Sequence, residues 1–453
     1  MSARWSAAFV QRALGLDAPL AGTGYAAIST DTRTLEPGAL FIALAGERFD
    51  GHDHLAAALA RGAAAAVVRR GTAPVAGLPL IEVDDTLHSY GRLARERRRE
   101  IRGPVIAVTG TNGKTSTKEM LRAVLGTRFR VHATRANLNN LVGVPLTILE
   151  APADADALVV EAGANLPGEI ARYREIIEPT IAVVTNVGSG HLEGFGSLAG
   201  VMREKLSLVV DVPLAVVGTD PPELAEQARP LARRVLTAGL TAAERKARDL
   251  ELDAEGRATF SASGKRIALP FPGKHLAANA MLAWTVAEEL GLDLAAAARA
   301  LSDFPLPGGR SEVVHAGGLT ILNDCYNANP QSFQSAIATA RAMRHGRRLV
   351  FVAGTMRELG PESPRLHAEV AEQLVLLKPD LLAAVGEFVA PLAARAGELG
   401  DRLLTAPDPL ALGPALAARL QGDEIVVLKA SRGVALERIL PYLTTGRTPP
   451  TEA

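Results

Sequence analysis

Residues 110–116 read Gly110-Thr111-Asn112-Gly113-Lys114-Thr115-Ser116 and follow directly on the apolar run Val105-Ile106-Ala107-Val108-Thr109. A buried strand entering a glycine-rich turn and then a helix is a place where phosphate binds. Glycines let backbone N–H groups approach phosphate oxygens, and the helix N-terminus adds partial positive charge. Lys114 supplies a full charge, and the Thr115 hydroxyl suits Mg²⁺. The spacing departs from the general phosphate-binding loop at Val108, where that pattern has a glycine, so this is a shortened loop of a particular kind.

A magnesium nucleotide needs hard oxygen ligands and groups that neutralise charge during phosphoryl transfer. Glu161 ends an apolar run, 158–161, just before Ala162-Gly163, which places it at the carboxyl edge of a sheet, where doubly wound folds bind ligands. On position alone a solvated loop residue is an equal reading. His191 lies in a glycine-rich loop, 186–197, after the next apolar run, 181–186. Three further polar segments abut strand ends or begin helices: Asn137-Leu138-Asn139-Asn140, 323–330, and Lys429-Ala430-Ser431-Arg432. Taken singly, such Asn and Asp residues serve as caps or turns. Three of them at sheet edges point to binding.

The elements that must hold these residues follow an α/β pattern. Segment 1–102 contains an Ala-rich helix leading into a strand within 55–68, a strand at 39–44 and a turn-rich stretch, Ser29-Thr30-Asp31-Thr32-Arg33, and ends at Gly103-Pro104. From 103 to 309 strand and helix alternate, the signature of a parallel sheet with crossover helices. Within it, 258–261 and 266–269 flank Ser263-Gly264 as a hairpin expected at that sheet's edge. Pro305, Pro307, Gly308 and Gly309 form a second linker. Segment 310–453 repeats the alternation with strands at 319–323, 349–353, 381–385 and 425–428, a second open α/β domain. The tail 444–453, with Pro449-Pro450, is expected to fray.

Composition limits the function classes. Over 453 residues, 48% are hydrophobic and 22% charged, which fits a globular chain, not a disordered one. Lys plus Arg and Asp plus Glu are 49 each, so no overall positive field gathers nucleic acid or an anionic membrane. The single cysteine, Cys325, cannot form an internal disulfide or a Cys-based zinc site. No signal-peptide core and no stretch of 18 uncharged apolar residues is present, so a cytoplasmic protein without membrane insertion is expected. The charge run 95–100 (Arg95, Glu96, Arg97, Arg98, Arg99, Glu100) reads as a solvated helix face.

Taken together these segments resemble the Mur ligase family of bacterial cell-wall synthesis over almost the whole chain. Within that family they are similar to the branch that joins D-alanyl-D-alanine to UDP-N-acetylmuramoyl-tripeptide. The matching residues are Asp31-Thr32-Arg33 with Gly51-His52, 110–116, 137–147, Glu161-Ala162-Gly163 with Gly168-Glu169-Ile170, 191–197, 324–330, Met356-Arg357-Glu358-Leu359-Gly360 and 429–432. The resemblance implies a three-domain α/β chain: a small UDP-substrate domain (1–102), a central P-loop mononucleotide-binding domain with a parallel sheet (103–309) and a Rossmann-like C-terminal domain (310–453). It further implies ATP and two Mg²⁺ ions as cofactors, a monomer, and residue roles. Lys114, Glu161, His191 and Lys205 would be catalytic. Thr115, Glu161, His191 and Lys205 would hold metal, Lys205 as a carbamate. Asn279, Arg310, Asp324, Tyr326 and Asn327 would join 110–116 around the nucleotide. Ser29, Asp31, Arg33, Asn137, Asn139 and Asn140 would handle the UDP-sugar, and Lys429, Ser431 and Arg432 the dipeptide.

Four positions depart from the family pattern: Thr355 where Asp is common, Ala430 where Gly is, Leu276 where Asn is, and Ser207 where Glu follows the special lysine by two. Sister ligases are disfavoured by the lack of an Asp-Asn-Pro motif in the last domain and of a Gly-x-Gly-x-x-Gly at the start. A non-catalytic ATP-dependent switch would need no second substrate site, and the polar segments flanking the loop argue against it.

Overall fold

The computed structural model describes residues 4–20, 22–46 and 49–444; most of the tail expected to fray, 445–453, lies outside them. The chain forms two compact units. The first is Met1–Ala107 with Arg130–Ala164 and Glu169–Thr180; the second is Val108–Phe129, Asn165–Gly168 and Ile181–Ala453. No helix among the described residues is long and apolar enough to cross a membrane.

In the first unit a parallel sheet runs in the order Ile28–Ser29, Leu40–Ile42, Ala65–Arg69, Leu80–Val83. Its core is small residues with Phe41, Leu55 and Leu78, so the Ala-rich stretch is a close-packing layer, as a helix (Leu55–Ala60) feeding a strand. Ser29 ends the first strand, which puts the Ser29–Arg33 turn at a carboxyl edge. The helix Thr86–Arg99 starts where the Asp85 side chain accepts the His88 N–H. Its basic end is only in part the solvated face expected: Arg95, Arg99 and Glu100 are exposed, but two of its arginines turn inward. Arg97 is buried and donates to the carbonyls of Ala151 and Pro152; Arg98 donates to those of Ile177 and Glu178. These carbonyls lie at the C-termini of the helices Gly143–Glu150 and Glu169–Ile177, where cations satisfy orphan acceptors and the helix dipole. Later in the same unit Val131–Ala133 pairs in parallel with Ala157–Glu161.

In the second unit Ile181–Val184, Leu214–Val217, Val235–Gly239 and Arg245–Lys246 pair in parallel in that order. The expected hairpin forms, as Arg257–Ala262 and Lys265–Pro272, but not at the edge of that sheet. With Arg248–Leu252 it makes a separate three-stranded antiparallel sheet. The reason is its alternation: Ala258, Phe260, Ala262, Ile267 and Leu269 are buried on one face, which packs on the helices Lys274–Glu289 and Leu294–Ser302.

The last sheet runs Glu312–Ala316, Leu319–Asp324, Ile425–Lys429, Leu349–Ala353, Leu381–Val385, Leu403–Ala406. The first pair is antiparallel and the others parallel. Ile425–Lys429, last in sequence, inserts at the centre, and its apolar residues are buried on both faces as a central parallel strand requires. This crossing of strand order opens the crevice where such sheets bind ligands.

Candidate active site

The phosphate-loop segment builds itself locally. Thr109 ends its strand with its carbonyl accepting the Thr185 N–H. Gly110 has φ +145°, and a Cβ there would sit 2.0 Å from the Thr185 hydroxyl, so no side chain fits. The Thr111 N–H donates to the Asn186 carbonyl, 3.0 Å, and the Asn112 N–H to Asn186 Oδ1, 3.0 Å. With these two amides engaged, the loop's remaining donors lie at the N-terminus of the twelve-residue helix Lys114–Leu125. Its cap, Gly113, is left-handed and makes no side-chain hydrogen bond. A helix start without a side-chain cap is an anion site. The Lys114 ammonium folds over the loop onto the carbonyls of Gly110, 2.7 Å, and Thr111, 3.0 Å, while Thr115 and Ser116 are buried beneath. Asn279, on Lys274–Glu289, backs Gly113 so closely that a Cβ there would lie 2.6 Å from its Oδ1.

Asn112 turns its side chain away. Its Nδ2 donates to Gln331 Oε1, 2.8 Å, and Asn329 Oδ1, 3.2 Å, and its Oδ1 accepts from Asn329 Nδ2, 2.8 Å. Asn329 is also the N-cap of Pro330–Met343, in a reciprocal box with Ser332. Neither Asn329 nor Gln331 stood among the expected site residues; only the Asn-rich segment 323–330 pointed toward the first.

At the carboxyl edge of the last sheet, Asp324 and Lys429 are register partners on adjacent parallel strands. Their side chains pair at 2.7 Å, and the buried Lys429 ammonium also donates to the Asn327 carbonyl, 2.5 Å. The Arg310 guanidinium stacks 3.6 Å from the Tyr326 ring centre, and its buried Nε has no hydrogen-bond partner among the described residues. Ser431 receives the Arg357 N–H on its hydroxyl, 2.9 Å. Arg432 stands apart, on the surface beside Glu437. His275 is half-buried, its Nδ1 has no hydrogen-bond partner among the described residues, and desolvation pushes its pKa below the ordinary histidine value.

His191 is left-handed, φ +58°, and begins the short helix Leu192–Phe195. Its Nδ1 lies 2.5 Å from Glu358 Oε2. Glu358 was legible only as part of a matched segment, with no role attached. Lys205 is buried in the last turn of Leu198–Leu206, its ammonium 5.5 Å from the Phe195 ring centre. Next to it, Glu204 accepts the Gly168 N–H, 2.8 Å.

In the first unit, Glu161 is buried at the end of Ala157–Glu161. Asn139 Nδ2 donates to its Oε1, 2.8 Å, and the Glu161 N–H donates to the Thr134 hydroxyl, 2.9 Å. Its other oxygen, Oε2, is buried without a hydrogen-bond partner among the described residues. A buried carboxylate oxygen left open calls for a cation or a donor. Asn140 serves as a local cap, accepting the N–H of Gly143, 2.8 Å; Asn137 is exposed beside it. Ser29, Asp31 and Arg33 hold one another: the Arg33 fork grips the Asp31 carboxylate at 2.6–3.1 Å, holding the Asp31 pKa down at about 2. Among the described residues no three His, Cys, Asp or Glu side chains gather into a ready-made metal cage.

Strand, glycine turn and uncapped helix start are the framework of α/β proteins with a phosphate-binding loop. Family models match three stretches: Mur ligase family, catalytic domain, at 24–98; Mur ligase middle domain, at 108–287; and Mur ligase, glutamate ligase domain, at 309–432. The chain is 35% identical to the UDP-N-acetylmuramoyl-tripeptide--D-alanyl-D-alanine ligase of Bacillus subtilis, over 92% of each chain. Among solved structures, MurF from Acinetobacter baumannii superposes with a TM-score of 0.87 at 30% identity, over 97% of this chain and 98% of that one. MurF from Thermotoga maritima, solved in complex with ADP, gives 0.81 at 30% identity, over 92% and 96%. The chain belongs to the Mur ligase family.

Proposed function

We propose that this protein is an ATP-dependent ligase that joins D-alanyl-D-alanine to UDP-N-acetylmuramoyl-tripeptide. The observation that carries the reading is the loop 110–116, set at a strand end before an uncapped helix, in a chain similar over its length to ligases of that name. The substrate carboxylate attacks the γ-phosphorus of ATP, forming an acyl phosphate and releasing ADP. The dipeptide amine then attacks the acyl carbon; the C–O bond to phosphate breaks, and the amine loses a proton as the amide forms. A carboxylate and a triphosphate repel each other, so Lys114 and the first turn of its helix offset charge while the loop fixes the line of attack.

Thr115, Glu161, His191 and Lys205 are the residues that would hold Mg²⁺, two ions in this reading. Bound Mg²⁺ supplies further charge neutralisation where triphosphate and carboxylate meet. The open Oε2 of Glu161 and the Thr115 hydroxyl are the hard oxygen donors such an ion prefers. Lys205 adds another as a carbamate: the neutral amine attacks CO₂, forms an N–C bond and sheds a proton. Burial supports this by penalising an ammonium. Asn279, Arg310, Asp324, Tyr326 and Asn327 surround the nucleotide, with the Arg310–Tyr326 stack the natural face for a base. Asp31, Arg33 and Asn139 serve the UDP-sugar side, and Lys429 and Ser431 the dipeptide side. In this reading the three segments 1–102, 103–309 and 310–453 are the working domains of a cytoplasmic monomer.

The test is phosphate release with each component omitted in turn. Release that requires ATP, Mg²⁺, the UDP-tripeptide and the dipeptide, with a pentapeptide product by mass, is expected. Release indifferent to the dipeptide would overturn the assigned amine donor.

A further inference from the structure

The contact between His191 and Glu358 joins two segments far apart in sequence, and neither backbone is relaxed: both residues are left-handed, at φ +58° and +65°. Non-glycine residues in that region are strained, and such strain gathers where geometry matters for function. The surroundings hold the two segments together. The Glu193 N–H donates to the Glu358 carbonyl, 3.3 Å. Gly360 approaches Glu193 so closely that a Cβ would lie 3.3 Å from its Cα. Leu192 packs against the core of the last sheet, and Met356, which opens the other segment, is buried in that core. The Met356 N–H donates to Nε2 of buried His367, 3.0 Å, and the Arg357 N–H to the Ser431 hydroxyl. Glu358 therefore stands on a backbone pinned from both sides.

Its carboxylate faces the His191 ring, and Lys114 and Arg357 lie near enough to act on it electrostatically. At 2.5 Å, Nδ1 and Oε2 are within ion-pair distance, yet the buried Nδ1 has no well-aligned hydrogen bond among the described residues. Catalytic hydrogen bonds are often poorly aligned before substrates bind.

We infer that Glu358 is a positioning residue for His191. Its carboxylate accepts the Nδ1 proton and leaves Nε2 as the lone-pair nitrogen offered to the metal–nucleotide. A histidine that serves a metal commonly owes its tautomer and ring orientation to such a carboxylate. Because Glu358 belongs to the segment docked beside Ser431, His191 is oriented only when the last sheet's loops are seated against its own loop.

The kinetic arm of the test rests on the ligase reading; the binding arm does not. Glu358→Ala is expected to weaken Mn²⁺ binding to the enzyme·ADP complex, read by electron paramagnetic resonance, by about 10–100-fold. The Mg²⁺ concentration for half-maximal turnover should rise and kcat fall by a similar factor, with KM for the dipeptide little changed. Glu358→Gln, whose amide oxygen still accepts from Nδ1–H, should recover most of both. In a His191→Ala background Glu358→Ala should cost nothing further. Unchanged Mn²⁺ affinity in Glu358→Ala overturns the inference. So does a glutamine variant as defective as alanine, which would mean that charge beside Lys114 is what matters. A wild-type protein that binds Mn²⁺·ADP but fails to ligate would sink the ligase reading alone.

Discussion

The reciprocal amide pair between Asn112 and Asn329 ties the phosphate loop to the N-terminus of Pro330–Met343, and its contribution can be separated from that of the helix cap. Asn329 does two jobs: its Oδ1 accepts the Ser332 N–H as N-cap, 2.9 Å, and its amide exchanges hydrogen bonds with Asn112. Asn329→Ser keeps a capping oxygen but removes the exchange. Asn112 Nδ2 retains Gln331, whereas the half-buried Asn112 Oδ1 loses its donor, so the cost is that of one partly solvated acceptor, about 1 kcal/mol. Asn329→Ala removes the cap as well and should cost about 1 kcal/mol more. Native-state hydrogen exchange across 330–343 reads both, because it reports the local opening that severs this link. A cycle with Asn112→Ala should give a coupling of roughly 0.5–3 kcal/mol. If Asn329→Ser exchanges like wild type and the coupling is zero, the pair is a contact without energy. The claim that the phosphate loop is held from the last sheet's side would then fail.

In the proposed reaction Lys114→Met should lower turnover by on the order of 10²–10³, because a charge that offsets the transferred phosphoryl group would be lost while the loop's backbone remains; an undiminished kcat would remove Lys114 from the mechanism. Lys205→Arg keeps positive charge but cannot form a stable carbamate, so it should be inactive, and the carbamate resonance expected from wild-type enzyme equilibrated with ¹³CO₂ should vanish. A resonance that persists in the variant would place the carbamate elsewhere. The Asp31 carboxyl should titrate near 2 in NMR and return to the ordinary aspartate range in Arg33→Ala. Since the folded value is depressed, any stability from the pair is present above the unfolded aspartate pKa, near 4, and is lost as pH falls toward 2. Both side chains are exposed, so 1 M salt should weaken the shift.

What could be read from sequence is what short range decides. The loop 110–116 follows from glycines whose torsions and close approaches are set within a few residues and by the adjoining strand, and Glu161 needed only the end of an apolar run. What could not be read depends on acceptors and partners far along the chain. Arg97 and Arg98 looked solvated because the charge pattern of one helix carries no information about the carbonyl ends of two others, more than 50 residues later. Asp324 and Lys429 were each singled out, but their pairing follows from a parallel register between strands about a hundred residues apart. The pairing of Glu358 with His191 is of the same kind.

The departures from the family pattern sharpen the point, since the structure accommodates each of them locally. Ala430 approaches Gly354 so closely that a Cβ on Gly354 would lie 2.8 Å from the Ala430 Cβ, so alanine is tolerated at 430 because 354 has no side chain. The Thr355 hydroxyl accepts the Glu387 N–H, 3.0 Å, and thereby joins two loops at the edge of the last sheet. Leu276 is buried among the helices, and the Ser207 hydroxyl turns back to the Glu204 carbonyl, 2.6 Å, at the end of the helix that carries Lys205. None of these four positions is Lys114, Glu161 or His191. A substitution that is compensated by its immediate neighbour alters the frame around a reaction more readily than the reaction itself. If the region around Ser431, where Thr355 and Ala430 lie, takes the dipeptide as proposed, kinetic differences from other members of the family should appear in the KM for that substrate.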